Sequence, residues 1–125
     1  MSYIKIGNKK IENIKFAITE EEQRNGLMFS KWVPDIMVFP YKKAEVKKFW
    51  MSDVSFPLDI IFCKGGKIVD IVIGKLYDKT LIGPNKKCDC VIETPGGYCA
   101  YNNVKIGDDL TIKYDKEILE KFLSS

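Results

Sequence analysis

Phe49-Trp50-Met51-Ser52-Asp53-Val54-Ser55-Phe56-Pro57-Leu58-Asp59-Ile60-Ile61-Phe62-Cys63 is the stretch whose reading decides the fold. Two extended apolar runs, 49–51 and 58–63, flank a polar segment that ends in a proline. Proline has no backbone donor, so it punctuates strands rather than lying inside them. The second run leads into Lys64-Gly65-Gly66-Lys67, a hairpin turn by composition. Ile68-Val69-Asp70-Ile71-Val72-Ile73 then returns as a β-branched strand.

Working outward, the pattern repeats. Tyr3-Ile4-Lys5-Ile6 alternates apolar and polar, Gly7-Asn8 offers a turn, and residues 11–18 resume an extended pattern, which together predict an opening hairpin. Thr19 with Glu22 three residues on is a capping box, and Glu20 and Glu21 suit the positive end of a helix dipole. A short helix is expected over 20–25, closed by Gly26. Leu27-Met28-Phe29 is expected in the core, Trp32-Val33-Pro34 in a loop, and Ile36-Met37-Val38-Phe39 in a strand stopped by Pro40. Residues 42–48 read as a polar connection, 88–94 as a strand, Tyr98-Cys99-Ala100-Tyr101 as another extended piece, and 110–114 as the last strand. Asp115 is placed to cap a terminal helix over 116–123.

Short strands with Gly and Pro turns and only small helices predict one mostly-β, β-rich α+β domain, barrel-like or a sandwich, over residues 1–125. At 125 residues and 46% hydrophobic, the chain needs no staple to form a core. Its formal charge of +3 is too small for a nucleic-acid tail or a polybasic membrane anchor. Residues 1–50 hold ten basic and six acidic side chains, and residues 51–125 hold ten and eleven. No apolar run is long enough to span a bilayer and no signal segment opens the chain, so a cytoplasmic protein with reduced cysteines is expected. Histidine is absent, which removes histidine-based triads, dyads and metal sites.

Gly26-Leu27-Met28, Phe49-Trp50-Met51, Pro57-Leu58-Asp59-Ile60 with Phe62, and Lys67-Ile68-Val69-Asp70-Ile71 occur in that order. Val91-Ile92-Glu93 with Pro95-Gly96-Gly97, and Ile106-Gly107-Asp108, follow them. Over residues 12–112 or so this ordered set resembles the family called domain of unknown function 192, small uncharacterised proteins of bacteria and archaea. The chain departs from the pattern with Asp35 in place of a glycine and with Asp53-Val54 in place of Asn-Thr. The resemblance implies a small β-barrel-like fold and implies no reaction.

Four acids lie among apolar residues: Asp53, Asp59, Asp70 and Glu93. A buried carboxylate is costly unless it is hydrogen-bonded or paired. One reading has Asp59 accepting backbone N–H bonds around Pro57 and Glu93 paired with a lysine. The other gathers Trp50, Asp53, Asp59 and Glu93 at a polar recess that binds a ligand. Carboxylate-based hydrolysis of the glycosidase type is the least favoured use of such a set. Trp50 itself is either a core plug or a stacking platform.

Cys88 and Cys90 are two apart and are expected on one strand face, with Cys99 on a neighbouring strand and Cys63 elsewhere in the sheet. Without knuckle spacing they read as small core hydrophobes rather than metal ligands. Lys42, Lys43, Lys47 and Lys48, flanked by aromatics, are the candidate contacts for single-stranded nucleic acid, although Glu45 interrupts them. A solvated edge is the plainer reading of those lysines. The expected function is a non-enzymatic binding module for a small polar ligand or a protein partner, with weak nucleic-acid binding as the alternative. No catalytic residue, metal or cofactor and no membrane association is expected.

Overall fold

The computed structural model describes residues 1–26 and 36–125. The first hairpin forms as its alternation predicts: β1 (Tyr3–Ile6) buries Ile4 and Ile6 and pairs antiparallel with β2 (Lys9–Ile11). The returning arm does not run on to residue 18. The Ile14 N–H donates to the Glu12 carbonyl at 2.8 Å, the chain turns, and β3 (Ile14–Phe16) joins a different sheet.

Helix α1 (Glu20–Asn25) carries the expected capping box. The Glu22 N–H donates to Thr19 Oγ1 at 3.1 Å, and Glu22 Oε1 accepts from the Thr19 and Ile18 N–H groups, both at 3.0 Å. Gly26 closes the helix with φ of 47°, a region that disfavours any side chain. The expectations for Leu27, Met28, Phe29, Trp32, Val33, Pro34 and Asp35 lie outside the described residues.

Beyond it come β4 (Ile36–Val46), β5 (Phe49–Trp50), β6 (Leu58–Lys64), β7 (Lys67–Gly74), β8 (Leu81–Ile82) and β9 (Lys87–Pro95). Pro40 does not stop β4. It sits where the ladder loses register: an advance from Pro40 to Glu45 on β4 is matched only by Cys90 to Cys88 on β9. An irregularity of this kind tolerates a residue with no N–H to give. It also moves Cys88 and Cys90, expected on one face, into different core clusters.

Tyr98–Tyr101, expected extended, is a helical turn, α2. Its cause is remote in sequence: the Asp59 carboxylate on β6 accepts the N–H groups of Gly97 at 3.2 Å and Cys99 at 2.9 Å. Cys99 therefore lies in α2 rather than on a strand. β10 (Leu110–Lys113) pairs back onto β1, and α3 (Lys116–Ser124) ends the chain, capped by Asp115, whose Oδ1 accepts the Ile118 N–H at 2.9 Å.

The strands form a five-stranded sheet in the order β3-β4-β9-β6-β7, a three-stranded sheet β10-β1-β2 and a ribbon β5-β8. The protein is mostly β, as its turn spacing predicts, but the larger sheet ends on β3 and β7, so the described strands do not close into a barrel. Central strand β9 alternates between two cores. Cys90 and Ile92 enter one with Ile4, Val38 and Ile61. Val91 enters the other with Phe39, Met51, Ile60 and Phe62. No helix among the described residues is long and apolar enough to cross a membrane.

Candidate functional site

A recess of about 590 Å³ opens on the second core, between α1, the outer part of β4, the β5-β8 ribbon and the turn that follows β5. Gly26, Phe39, Phe49, Trp50, Asp53 and Glu93 are among its walls. Phe39 and Phe49 meet edge to face at 5.4 Å between ring centroids, and Phe49 meets Phe62 at 5.9 Å, so the apolar wall is continuous with the core. Trp50, opposite Leu81 in the ribbon, is 61% exposed: the indole is a surface platform and not a core plug. Asp53 is exposed on a tight turn in which the Val54 N–H donates to the Met51 carbonyl at 3.1 Å.

Glu93 lies at the inner end of this arrangement. It sits on the central strand, opposite Met37 on β4 and Ile60 on β6, and is 5% exposed. Expected to pair with a lysine, Glu93 makes no ion pair and no hydrogen bond among the described residues. Among the described residues no side-chain oxygen or nitrogen sealed from solvent lacks a partner, so the carboxyl oxygens of Glu93 keep their opening to the recess. Burial alone pushes its pKa up to about 8. Gly26 lies beside it: a side-chain carbon there would come 3.6 Å from Glu93 Oε1 and 3.6 Å from Phe39 Cζ.

Of the four residues expected at one recess, Trp50, Asp53 and Glu93 are brought together and Asp59 is not. Asp59 pairs with Thr94 across β6 and β9 while Ile60 pairs with Glu93. Side chains alternate faces along a strand, so Asp59 points to the first core, where it caps α2. Its role is the backbone-accepting one. Asp70 is likewise turned to its own strand, accepting the Ile71 N–H at 2.9 Å.

The lysines are dispersed. Lys42 Nζ donates to the carbonyls of Leu123, at 2.9 Å, and Ser125 at the end of α3. Lys47 Nζ lies 3.3 Å from Glu45 and 4.2 Å from the Tyr41 ring centroid. Lys48 Nζ is held by the Gly83 carbonyl and by Asn85 Oδ1, the latter at 2.9 Å. Lys43 is exposed. Three cations with separate local partners and a fourth that is exposed do not form a continuous phosphate track.

The cysteines are free, buried thiols, each raised above its ordinary pKa mainly by burial, Cys63 and Cys99 to about 12. They are not the thiolates of a reactive site. No group of acids and cysteines among the described residues is arranged to hold a metal ion.

Sequence reasoning missed Gly26, Phe49 and Tyr41 as walls of the recess. Phe49 adjoins Trp50, but nothing in the one-dimensional pattern says that Phe49 turns to the recess with Phe39. Gly26 announces a helix cap and conceals its second position, against a carboxyl 67 residues further along the chain.

The family model of DUF192, described as Uncharacterized ACR, matches residues 3–112. The chain belongs to this family. Among curated proteins none matches it. A crystal structure of a protein of unknown function from Novosphingobium aromaticivorans is similar at 27% identity and a TM-score of 0.80, covering 87% of this chain and 83% of that one. A candidate transcription regulator from Sinorhizobium meliloti is similar at 21% identity and a TM-score of 0.79, covering 90% and 94%. At that identity the second likeness speaks for the fold alone.

Proposed function

We propose that this DUF192 protein is a non-enzymatic binding module of the cytoplasm that takes a small polar ligand in the recess beside Trp50. The observation that carries the reading is Glu93: a carboxyl on the central strand, without a partner among the described residues, facing a hollow with aromatic walls. Burying such a group without a hydrogen bond costs on the order of 1–3 kcal/mol, and a sheet of this size has apolar alternatives for the position. A bound polar group supplies the missing donor. An exposed indole at the mouth supplies a face for the ligand's apolar part.

Catalysis is not proposed. The recess has three acids among its described walls, Glu20, Asp53 and Glu93, but no nucleophile–base pair among them, and the chain has no histidine. The experiment is an amide chemical-shift titration of the full chain with small neutral polyols, amines and carboxylates, repeated on Glu93→Gln. Saturable shifts at Trp50, Asp53 and Glu93 from one ligand class, weakened by the substitution, are expected. Shifts absent from the recess for all three classes reject the reading.

A further inference from the structure

We infer that the ligand is an organic cation: a primary ammonium on a small apolar body, with its nitrogen on the Glu93 carboxylate and its body against the aromatic wall of the recess. This rests on the recess being a binding site and adds the chemical class of what it binds.

The argument begins with what Glu93 lacks. A carboxyl accepts hydrogen bonds from N–H and O–H donors, and none among the described residues donates to it. Three basic side chains line the recess, and none of them reaches it. The Lys47 ammonium is committed to Glu45 and the face of Tyr41. The Lys48 ammonium is committed to Gly83 and Asn85. Arg24 is exposed on the last turn of α1, where water screens it. The cation that would complement the buried acid is therefore not supplied by the described residues.

The remaining walls favour a cation over an anion. Asp53 and Glu20 are exposed acids at the rim, and they offset part of the positive charge of Arg24, Lys47 and Lys48 around the opening. Aromatic faces carry negative charge density and attract ammonium groups, and Tyr41, in the same wall, already holds the Lys47 nitrogen in this way. A carboxylate or phosphate ligand meets three acids and no uncommitted buried cation.

Cation binding is coupled to a proton. Among the described residues, the groups that line the recess with Glu93 are Tyr41 and Phe39 from β4, Asp53 from the turn after β5, Glu20 and Arg24 from α1, and Lys47 and Lys48 from the connection between β4 and β5. The Tyr41 phenol stays neutral near pH 7, because burial and then the neighbouring Cys88, Cys90 and Glu93 raise its pKa. Free Glu93 is mostly protonated at pH 7, since its pKa is about 8. On binding, the O–H bond breaks, the proton goes to solvent, and the carboxylate pairs with the ammonium.

The test uses phenethylammonium, phenethyl alcohol and phenylpropionate as probes of one shape and three charges, with calorimetry of the full chain in two buffers of different ionisation heat. Expected are binding of the ammonium probe, release of nearly one proton at pH 7, and affinity that rises up to about tenfold per pH unit below pH 8 and then levels. Glu93→Gln removes both the proton release and most of the affinity, while Asp53→Asn weakens binding about two- to threefold through the field alone. Because the proton count is read on the unaltered protein, the test stands even if Glu93→Gln folds poorly. Binding of the alcohol or the carboxylate in preference to the ammonium overturns the cation and leaves the recess. Binding of none of the three overturns the cation too, and if the polyols, amines and carboxylates of the shift titration also leave the recess unmoved, the binding reading falls with it.

Discussion

Asp59 and Glu93 stand one residue out of step on adjacent strands and face opposite sides of the same sheet. Asp59, which caps α2, is paired with Thr94; Glu93, which opens on the recess, is paired with Ile60. One register position thus divides an acid that caps a helix from one that opens on the recess, and replacing each should have different consequences.

For Asp59→Ala the expected outcome is a loss of about 2–4 kcal/mol, because the buried Cys99 N–H and the part-buried Gly97 N–H at the start of α2 lose their acceptor. Urea unfolding measures it. Amide shifts at Trp50 and Asp53 should stay in place; movement there would mean that the two faces are coupled.

Glu93 predicts the pH dependence of stability. Its folded pKa, about 8, lies above the ordinary value of 4.5, so between these the folded state binds more protons than the unfolded. Stability then falls as pH rises from about 5 to 8, by an amount on the order of a few kcal/mol. Glu93→Gln should flatten that part of the curve in urea denaturation at pH 5, 6.5 and 8. Parallel curves for the two proteins would mean that Glu93 is solvated.

Trp50→Ala should change stability by under about 1 kcal/mol, since the side chain is 61% exposed. Gly26→Ala should cost on the order of 1–2 kcal/mol, because the left-handed φ of 47° resists a side chain. Thermal unfolding compares them. Equal costs would show that the indole is more anchored than its exposure indicates.

The tie between the two longer helices predicts acid lability. Lys121 Nζ lies 2.7 Å from Glu22 Oε2. Partial burial works to raise the Glu22 pKa, and is outweighed by the bonds from Lys121, Thr19 and Ile18, which hold it at about 2. A lowered acid pKa stabilises above the unfolded value of 4.5, and the gain is lost as pH falls toward 2. Because the pair is partly exposed, Lys121→Met should cost under about 1 kcal/mol at neutral pH, and less below pH 3. A cost that stays constant across that range would show that α3 is held by its apolar face.

Nucleic-acid binding through Lys42, Lys43, Lys47 and Lys48 has a simple readout. Anisotropy of a labelled single-stranded oligonucleotide should show no saturable binding at physiological salt, because three of the four ammonium groups have partners within the chain. Tight binding that falls steeply with salt would restore the lysine segment as an interface.

Local chemistry made much of this fold legible. The capping box at Thr19 and Glu22, the Gly65-Gly66 hairpin, the Asp115 cap and the β-branched runs each act within a few residues, and each appears as expected. Trp50, Asp53 and Glu93 could be named from their residue types alone, as polar or amphipathic groups set among apolar neighbours. What failed was whatever depends on a distant partner. Tyr98–Tyr101 is helical because an aspartate 40 residues earlier caps it. Cys88 and Cys90 diverge because β4 carries extra residues past β9. Strand parity tells which residues of one strand share a face, but it does not say which face of the sheet will be hollow. That is decided by where α1 and the β5-β8 ribbon pack, and packing is a property of the folded chain.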